Sequence, residues 1–221
     1  SKIHNEYILE RYKKKEFEPD MNQFKQNRLL VKDSSLQSLI KISTLEHTHP
    51  VKKFIDGRQI PSHTHHELFY VPKFYEWVNT LIPNKFSSLD SDHPRLVIPF
   101  FDERNKMFAF QGRAFGKEQP KYITIVLDQN HQKIFGLDRV DDSRNIIIVE
   151  GPIDSLFLPN CIAVAQGDLR LLQYKTKSTL VFDNEPRNRE IIKNIEKAIE
   201  EDYSVCLLYT SPSPRDVEES R

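Results

Sequence analysis

The sequence predicts an α/β fold in which a parallel sheet with flanking helices follows a smaller α+β region. Three observations lead to this prediction. In the C-terminal part, short apolar strands alternate with helical segments, a pattern that is typical of parallel sheets. Before it, "RLVIPFFDERNKMFAFQGRAF" combines two apolar runs with a polar turn and indicates a β-hairpin. The buried strand of "NIIIVEG" ends in Glu150, at the position where open α/β sheets bind their ligands.

The composition is that of a globular protein. The chain has 221 residues, of which 38% are hydrophobic and 29% are charged, and its formal net charge is zero. This content allows one fair-sized core or two small ones. No apolar run reaches the roughly 20 residues of a membrane span, and the N-terminal residues lack the apolar stretch of a signal peptide. We therefore expect a cytoplasmic protein without membrane contact.

The chain divides into four segments by composition. Residues 1–49 are polar and basic, and "SLQSLIKI" predicts one short helix within this linker. Residues 50–144 combine small aromatic-rich helices with the hairpin, and residues 209–221 are interpreted as a non-native or disordered tail. Residues 145–208 contain the strands "IIIVEG", "CIAVAQG", "TLVFDNE" and "SVCLL" and the helical segments "DSLFL" and "NREIIKNIEKAIEED".

Acidic residues follow two of the predicted parallel strands. Glu150 ends the first strand, while Asp183 and Glu185 follow a later one with both carboxylates on one side of an extended segment. Three neighbouring carboxylates repel one another unless a divalent cation lies among them, and oxygen ligands favour Mg²⁺ or Mn²⁺ over Zn²⁺. Alternatively, Asp183 and Glu185 only cap the helix that begins near Pro186.

Basic residues are concentrated in the region before these acids. A basic stretch beside an acidic site suits a polyanion that is held over bound cations. Alternatively, the same side chains form the solvated face of strands. The residues concerned are Arg95, Arg104, Lys106, Arg113, Lys117, Lys121, Lys133 and Arg139.

Cysteines and histidines give little support for a zinc site. Cys161 and Cys206 are the only cysteines, they are far apart, and both are predicted to be reduced, so a cysteine zinc ribbon within this chain is excluded. Imidazoles also bind zinc, but the clustered histidines lie in turn-like sequence without cysteines and are predicted to be exposed loop residues. They are His47, His49, His63, His65 and His66.

The motifs together resemble a Toprim domain. "VEGPIDSLFL", "NCIAVAQGD" and "FDNEPRNRE" follow one another as in that family, which has a glutamate and a glycine after one strand and an acid pair after a later one. Upstream, "RLVIPFFDERNKMFAFQGRAFGKEQPKY" and "KIFGLDR" resemble the basic nucleic-acid-binding subdomain of bacterial DnaG-type primases. The form "DNEPRN" is similar to that of tailed-phage replicative primases. The resemblance covers roughly residues 50 to 208.

The resemblance implies roles for individual residues. Glu150, Asp183 and Glu185 are implied to be catalytic and metal-binding, with Asp154 as an outer metal-binding carboxylate. The implied cofactors are Mg²⁺ or Mn²⁺ in a two-metal site, without zinc in this chain. The residues at positions that face template, nucleotide or phosphate in such primases are Arg95, Arg113, Lys121, Tyr122 and Lys133.

The function that the resemblance implies is that of a DNA primase, a DNA-directed RNA polymerase that makes short RNA primers on single-stranded DNA during phage DNA replication. The expected partners are a single-stranded template, nucleoside triphosphates and a replicative helicase, and the expected location is the cytoplasm, that of the host if the chain is phage-encoded.

Two departures from the family lead to a further expectation. Glu185 replaces the second aspartate of the acid pair, and a third acidic motif expected after "SVCLL" is missing. We therefore expect a fragment that makes little or no primer. The alternatives are a catalytically incomplete Toprim module that binds nucleic acid or a helicase, and a fragment of a Toprim nuclease or topoisomerase.

Overall fold

An antiparallel sheet forms from the first half of the described chain. The computed structural model describes residues 34–165, 167–183 and 187–208. The predicted hairpin is confirmed and consists of β3 (Arg95–Phe101) and β4 (Met107–Arg113). Its turn is stabilised because Asp102 accepts a hydrogen bond from the backbone N–H of Lys106 at 2.8 Å, while Asn105 adopts the left-handed conformation at φ 60°. The remaining strands, in the sheet order β1-β2-β3-β4-β5, are β1 (Ile40–Lys41), β2 (Phe69–Val71) and β5 (Tyr122–Val126).

A second sheet contains the four strands predicted from apolar runs. Its strands are β6 (Ile134–Phe135), β7 (Ile146–Val149), β8 (Cys161–Val164), β9 (Ser178–Asp183) and β10 (Ser204–Leu208). The order is β10-β9-β7-β8-β6, in which β7 to β10 are parallel to their neighbours and β6 is antiparallel at one edge. The chain passes from β7 to β8 on one side and then to β9 on the other. The topological switch point, where such sheets bind ligands, therefore lies between β7 and β9.

The described residues include four α-helices. They are α1 (Pro50–Gly57), α2 (Phe74–Leu81), α3 (Pro152–Ser155) and α4 (Arg189–Glu200). Asn188 caps α4, because its side chain accepts hydrogen bonds from the backbone N–H groups of Glu190 and Ile191 at 3.2 and 3.5 Å. The helix α3 is shorter than predicted, since Pro159 and the left-handed Asn160 turn the chain into β8. No helix in the described ranges is long and apolar enough to cross a membrane.

The two sheets share a hydrophobic core. Leu96, Ile98 and Phe100 alternate along β3 and therefore point to the same face. They belong to one buried cluster with Val149 of β7 and Ile153 of α3. This shared core positions the antiparallel sheet beside the carboxyl ends of the parallel strands.

The opposite face of the hairpin is covered by α2. Its Phe74 is fully buried and contacts Phe110 of β4, with ring centres 6.2 Å apart, while Trp77 lies 4.7 Å from the same ring. The aromatic clustering predicted for this region is thus present, and it occupies the side of the hairpin away from the parallel sheet.

A buried polar pair joins α1 to the turn that follows it. Lys52 Nζ lies 2.8 Å from His65 Nδ1, and His65 Nε2 lies 2.9 Å from the carbonyl oxygen of Ile60. Because an ammonium only donates and a carbonyl only accepts, His65 is neutral with its proton on Nε2. Burial lowers the pKa of His65, and the charge of Lys52 lowers it further. The expectation of an exposed loop histidine is wrong for His65, because both ring nitrogens have partners inside the fold.

The helix predicted at "SLQSLIKI" is also absent. The structure has a 3-10 turn at Ser34–Leu36, the strand β1 and a second 3-10 turn at Ile42–Thr44. The free edge of β2 pairs with β1 instead, with Ile40 opposite Tyr70.

Candidate active site

A cleft of about 700 Å³ lies at the carboxyl ends of the parallel strands. Glu150 directly follows β7, and Asp183 is the last residue of β9. Because Ile148 pairs with Leu180 in adjacent parallel strands, the two acids lie at neighbouring strand ends, and both line the cleft. Glu185 lies outside the described residues. The structure therefore brings Glu150 and Asp183 to the switch point of the sheet.

Asp154 is a third acid in this cleft. It belongs to α3, one helical turn after Glu150. Burial raises the pKa of Asp154, and the negative charge of Asp183 raises it further, while the nearby Arg58 and Arg113 oppose the rise. The carboxylates of Asp154 and Asp183 are thus close enough to repel each other. Within the described ranges, no group of three acids, histidines or cysteines is arranged as a complete metal site.

The turn at Gly151 positions Asp154. A Cβ atom at residue 151 would overlap with Asp154 Oδ2, so only glycine allows this carboxylate to approach the strand end so closely. Pro152 occupies the first turn of α3, where its missing N–H costs no hydrogen bond. The sequence "EGPID" therefore places one acid at the strand end and a second above it.

Arg139 contacts α3 through a hydrogen bond. Its Nη2 donates a hydrogen bond to Ser155 Oγ at 2.8 Å, and that hydroxyl donates to the carbonyl oxygen of Pro152 at 2.7 Å. The guanidinium also lies 4.6 Å from the ring centre of Phe135 and 3.7 Å from Glu67 Oε2. Burial lowers the pKa of Arg139. These contacts hold the turn that carries Asp154 against the second sheet.

Gln111 and Tyr122 of the antiparallel sheet also line the cleft. The guanidinium of Arg113 lies between two rings, 4.7 Å from the centre of Tyr122 and 5.1 Å from that of Phe54. Arg113 is only 2% exposed. Burial, with the charge of Arg58 adding to it, lowers the pKa of Arg113 to about 10. The side chain still carries its full positive charge at neutral pH.

The two lysines predicted to contact nucleic acid are exposed. Lys121 precedes β5, and its Nζ lies 5.7 Å from the ring centre of Tyr122. Lys133 precedes β6, and its carbonyl oxygen accepts a hydrogen bond from the N–H of Ala165 at 3.1 Å. Lys121 thus lies near Tyr122, which lines the cleft, whereas Lys133 lies at the edge of the second sheet.

Arg95 lies on the other face of the antiparallel sheet. It is fully buried, its guanidinium is 5.5 Å from the ring centre of Phe74, and its Nη1 donates to the carbonyl oxygen of Gly112 at 3.2 Å. Arg95 therefore does not share a surface with Arg113, and the expectation that it faces template, nucleotide or phosphate directly is wrong. The reason is strand alternation, because Arg95 shares the face of β3 that α2 covers.

Three residues that line or influence the cleft were not singled out in the sequence. Gln111 is on β4, and Asp168 follows β8 and forms an ion pair with Arg170, with Nε to Oδ1 at 2.9 Å. Arg58 ends α1, and its charge acts on both Arg113 and Asp154. The acid in "AQGD" follows a predicted strand and could have been found by the reasoning applied to Glu150. Gln111 and Arg58 carry no comparable local signal.

Solved structures with a similar fold identify the architecture. The RNA polymerase domain of Mycobacterium tuberculosis primase DnaG has a similar fold. That structure matches with a TM-score of 0.59 at 14% identity, over 90% of this chain and 79% of that chain. A DnaG primase catalytic domain bound to single-stranded DNA matches with a TM-score of 0.58 at 14% identity, over 90% of this chain and 77% of that chain. The fold is that of a primase catalytic core.

The sequence shows a closer relationship. The DNA primase of Enterobacteria phage T4 is 37% identical over 181 residues, which are 80% of this chain and 52% of the phage protein. The chain is thus similar in sequence to a phage DNA primase and similar in fold to catalytic domains of DnaG primases. It spans about half the length of that relative. No protein-family model matches the sequence.

Proposed function

We propose that the chain carries the catalytic site of a DNA primase, a nucleotidyltransferase that makes short RNA primers on single-stranded DNA during phage DNA replication. The observation that supports this most directly is the position of Glu150 and Asp183 at the switch point of the sheet, in a cleft that Tyr122 also lines. The similarity to primases in sequence and fold supports the same reaction. Residues 50–144 would form the basic subdomain, residues 145–208 a partial Toprim domain, and residues 1–49 and 209–221 the flanking segments.

Divalent cations fit the chemistry of the acidic wall. Glu150 and Asp183 present carboxylate oxygens, which are the ligands that Mg²⁺ and Mn²⁺ prefer. We assign the metal-binding role to these two acids and Glu185, with Asp154 as an outer carboxylate. Bound cations would neutralise the triphosphate and favour attack of a primer 3′-hydroxyl on the α-phosphorus with pyrophosphate as the leaving group. Burial and the charge of Asp183 raise the pKa of Asp154, so a cation bound nearby would stabilise its ionised form.

The antiparallel sheet supplies contacts for nucleic acid. The exposed ring of Tyr122 offers a stacking surface for a base, and Arg113 and Lys121 place positive charge beside it. Lys133 is assigned a further phosphate contact, and Arg95 a role through the packing of the hairpin. A related primase domain has been solved with single-stranded DNA. We infer a single-stranded DNA template and nucleoside triphosphates as ligands and a replicative helicase as protein partner.

Primer synthesis by the purified chain tests this proposal. Single-stranded template, all four ribonucleotides and either Mg²⁺ or Mn²⁺ should yield short RNA products, in small amounts because the third acidic motif of the family is missing from this sequence. Glu150→Gln should reduce synthesis by about 100-fold or more, because even changes outside the ligand shell of a metal site cost about 10-fold to 100-fold. Glu196→Gln, at an exposed acid of α4 that does not line the cleft, is the matched control.

The same assay separates the other functions. DNA binding without synthesis under either metal would contradict primer synthesis by this chain and favour a binding module. That alternative has one observation in its favour, since the described residues contain no complete three-ligand metal site. Metal-dependent cleavage of the template in the absence of nucleotides would instead indicate a nuclease.

A further inference from the structure

Gln111 is a buried amide in the wall of the cleft. It is 3% exposed, and it lines the cleft together with Tyr122. Its Nε2 donates a hydrogen bond to Thr124 Oγ1 at 3.3 Å. Its Oε1 is buried and has no hydrogen-bond partner among the described residues. A buried acceptor without a partner costs about 1–3 kcal/mol, so a hydrogen-bond donor supplied by a ligand in the cleft would stabilise this side chain.

The strand register sets what surrounds this amide. Gln111 and Arg113 share one face of β4, with Thr124 and Tyr122 opposite them on β5. Arg113 also has two buried nitrogens, Nε and Nη1, without partners in the described ranges. Arg113 therefore places a positive charge next to Gln111, behind the lining of the cleft, where it favours anionic groups of a ligand. The side-chain oxygen of Gln111, Oε1, would repel a phosphate oxygen and instead requires a hydrogen-bond donor.

A sugar hydroxyl is the ligand group that meets this requirement. The argument rests on the proposed function, in which four different ribonucleotides must fit the same site. A fixed protein acceptor can be satisfied by all four only through a group that they share, and their shared donors are the ribose hydroxyls. A hydroxyl both donates and accepts, so it also complements either orientation of the amide. A DNA template carries no 2′-hydroxyl and cannot supply that contact.

We propose that Gln111 accepts a hydrogen bond from the ribose 2′-hydroxyl of the nucleotide bound in the cleft and thereby selects ribonucleotides over deoxyribonucleotides. A site that hydrogen-bonds a substrate hydroxyl rejects the analogue that lacks it, because the buried acceptor is again left unpaired. Gln111 is in this sense a specificity-determining residue. The acids at the strand ends serve both kinds of nucleotide equally.

Calorimetric titration of the full chain with ATP, 2′-deoxyATP and 3′-deoxyATP in Mg²⁺, without template, tests the inference. The wild type should bind ATP about fivefold to tenfold more tightly than 2′-deoxyATP, the effect of one net hydrogen bond, and should bind 3′-deoxyATP like ATP. Gln111→Met, similar in length and without hydrogen-bonding groups, should bind ATP and 2′-deoxyATP equally. The exposed Gln129→Met should keep the wild-type ratio.

The outcomes distinguish the inference from the function on which it rests. Equal affinity of the wild type for ATP and 2′-deoxyATP, or an unchanged preference in Gln111→Met, would overturn the role of Gln111 and leave primer synthesis standing. Failure of the wild type to bind any of the three nucleotides would count against the proposed function itself. The wild-type comparison needs no variant, so it remains decisive if a variant fails to fold.

Discussion

Replacing Gly112 with alanine should disturb both the stability of the hairpin and the cleft. Gly112 is on β4 and faces the ring of Phe74. A Cβ at this position would lie well inside van der Waals contact of two ring carbons and 3.0 Å from a third, Cδ2. The ring cannot retreat, because it is fully buried with Trp77 and Phe110 both 6.2 Å away. The strand or the helix must therefore shift.

The expected magnitude follows from this overlap. Adding a methyl group to a filled core costs about 1–3 kcal/mol. For a chain of this size each kcal/mol lowers the melting temperature by roughly 2–4 °C, so Gly112→Ala should melt about 2–12 °C below the wild type. Gln111 and Arg113 flank the site, so a shift of β4 also moves Gln111, which lines the cleft, and Arg113 beside it. We expect weaker nucleotide binding by the same variant.

Thermal unfolding followed by circular dichroism measures this effect. Gly57→Ala is the matched control, because no atom lies within 4 Å of a Cβ at that position. Alanine there favours α1 by up to about 1 kcal/mol, so the melting temperature should stay constant or rise. In Gly112→Ala/Phe74→Leu the smaller side chain should recover part of the loss. A melting temperature of Gly112→Ala equal to that of the wild type would refute the packing argument.

Two further predictions concern Lys121 and His65. Lys121→Ala should weaken single-strand binding, and it should reduce the magnitude of the salt dependence of affinity by about 0.7 for each phosphate that Lys121 neutralises. The control Lys53→Ala, at an exposed lysine, should leave both unchanged. An unchanged salt dependence in Lys121→Ala would mean that Lys121 only faces solvent. Burial holds the pKa of His65 below its usual range, so the unfolded chain binds more protons as pH falls below about 6.5. The free energy of unfolding measured in urea should then fall by up to about 1.4 kcal/mol per pH unit through the interval down to the folded pKa, and His65→Gln should remove this contribution. Equal pH slopes in both proteins would show that His65 is not the titrating group.

The sequence by itself determined the parallel strands and the hairpin, and it placed Glu150 and Asp183 at strand ends. Apolar runs and two-residue alternation are local properties of the chain, and the α/β alternation restricts the topology to a parallel sheet. The carboxyl ends of parallel strands meet at one edge, so an acid after each strand falls into the same region without knowledge of packing. Glu150 and Asp183 could be grouped for this reason.

Only the tertiary structure decided which face of each strand is covered and which strand edge is paired. Alternation shows that Arg113 and Gln111 share a face, but the packing of α2 on one side and of the parallel sheet on the other decides that this face meets the cleft while Arg95 is covered. β1 pairs with the edge of β2 at residues for which the local pattern predicted a helix. The hydrogen-bond partners of His65 lie on α1 and at Ile60. The burial of a strand face and the pairing of a strand edge depend on contacts between segments that are distant in sequence. The energies of these contacts outweigh local propensity, and the spacing of residues along the chain does not reveal them.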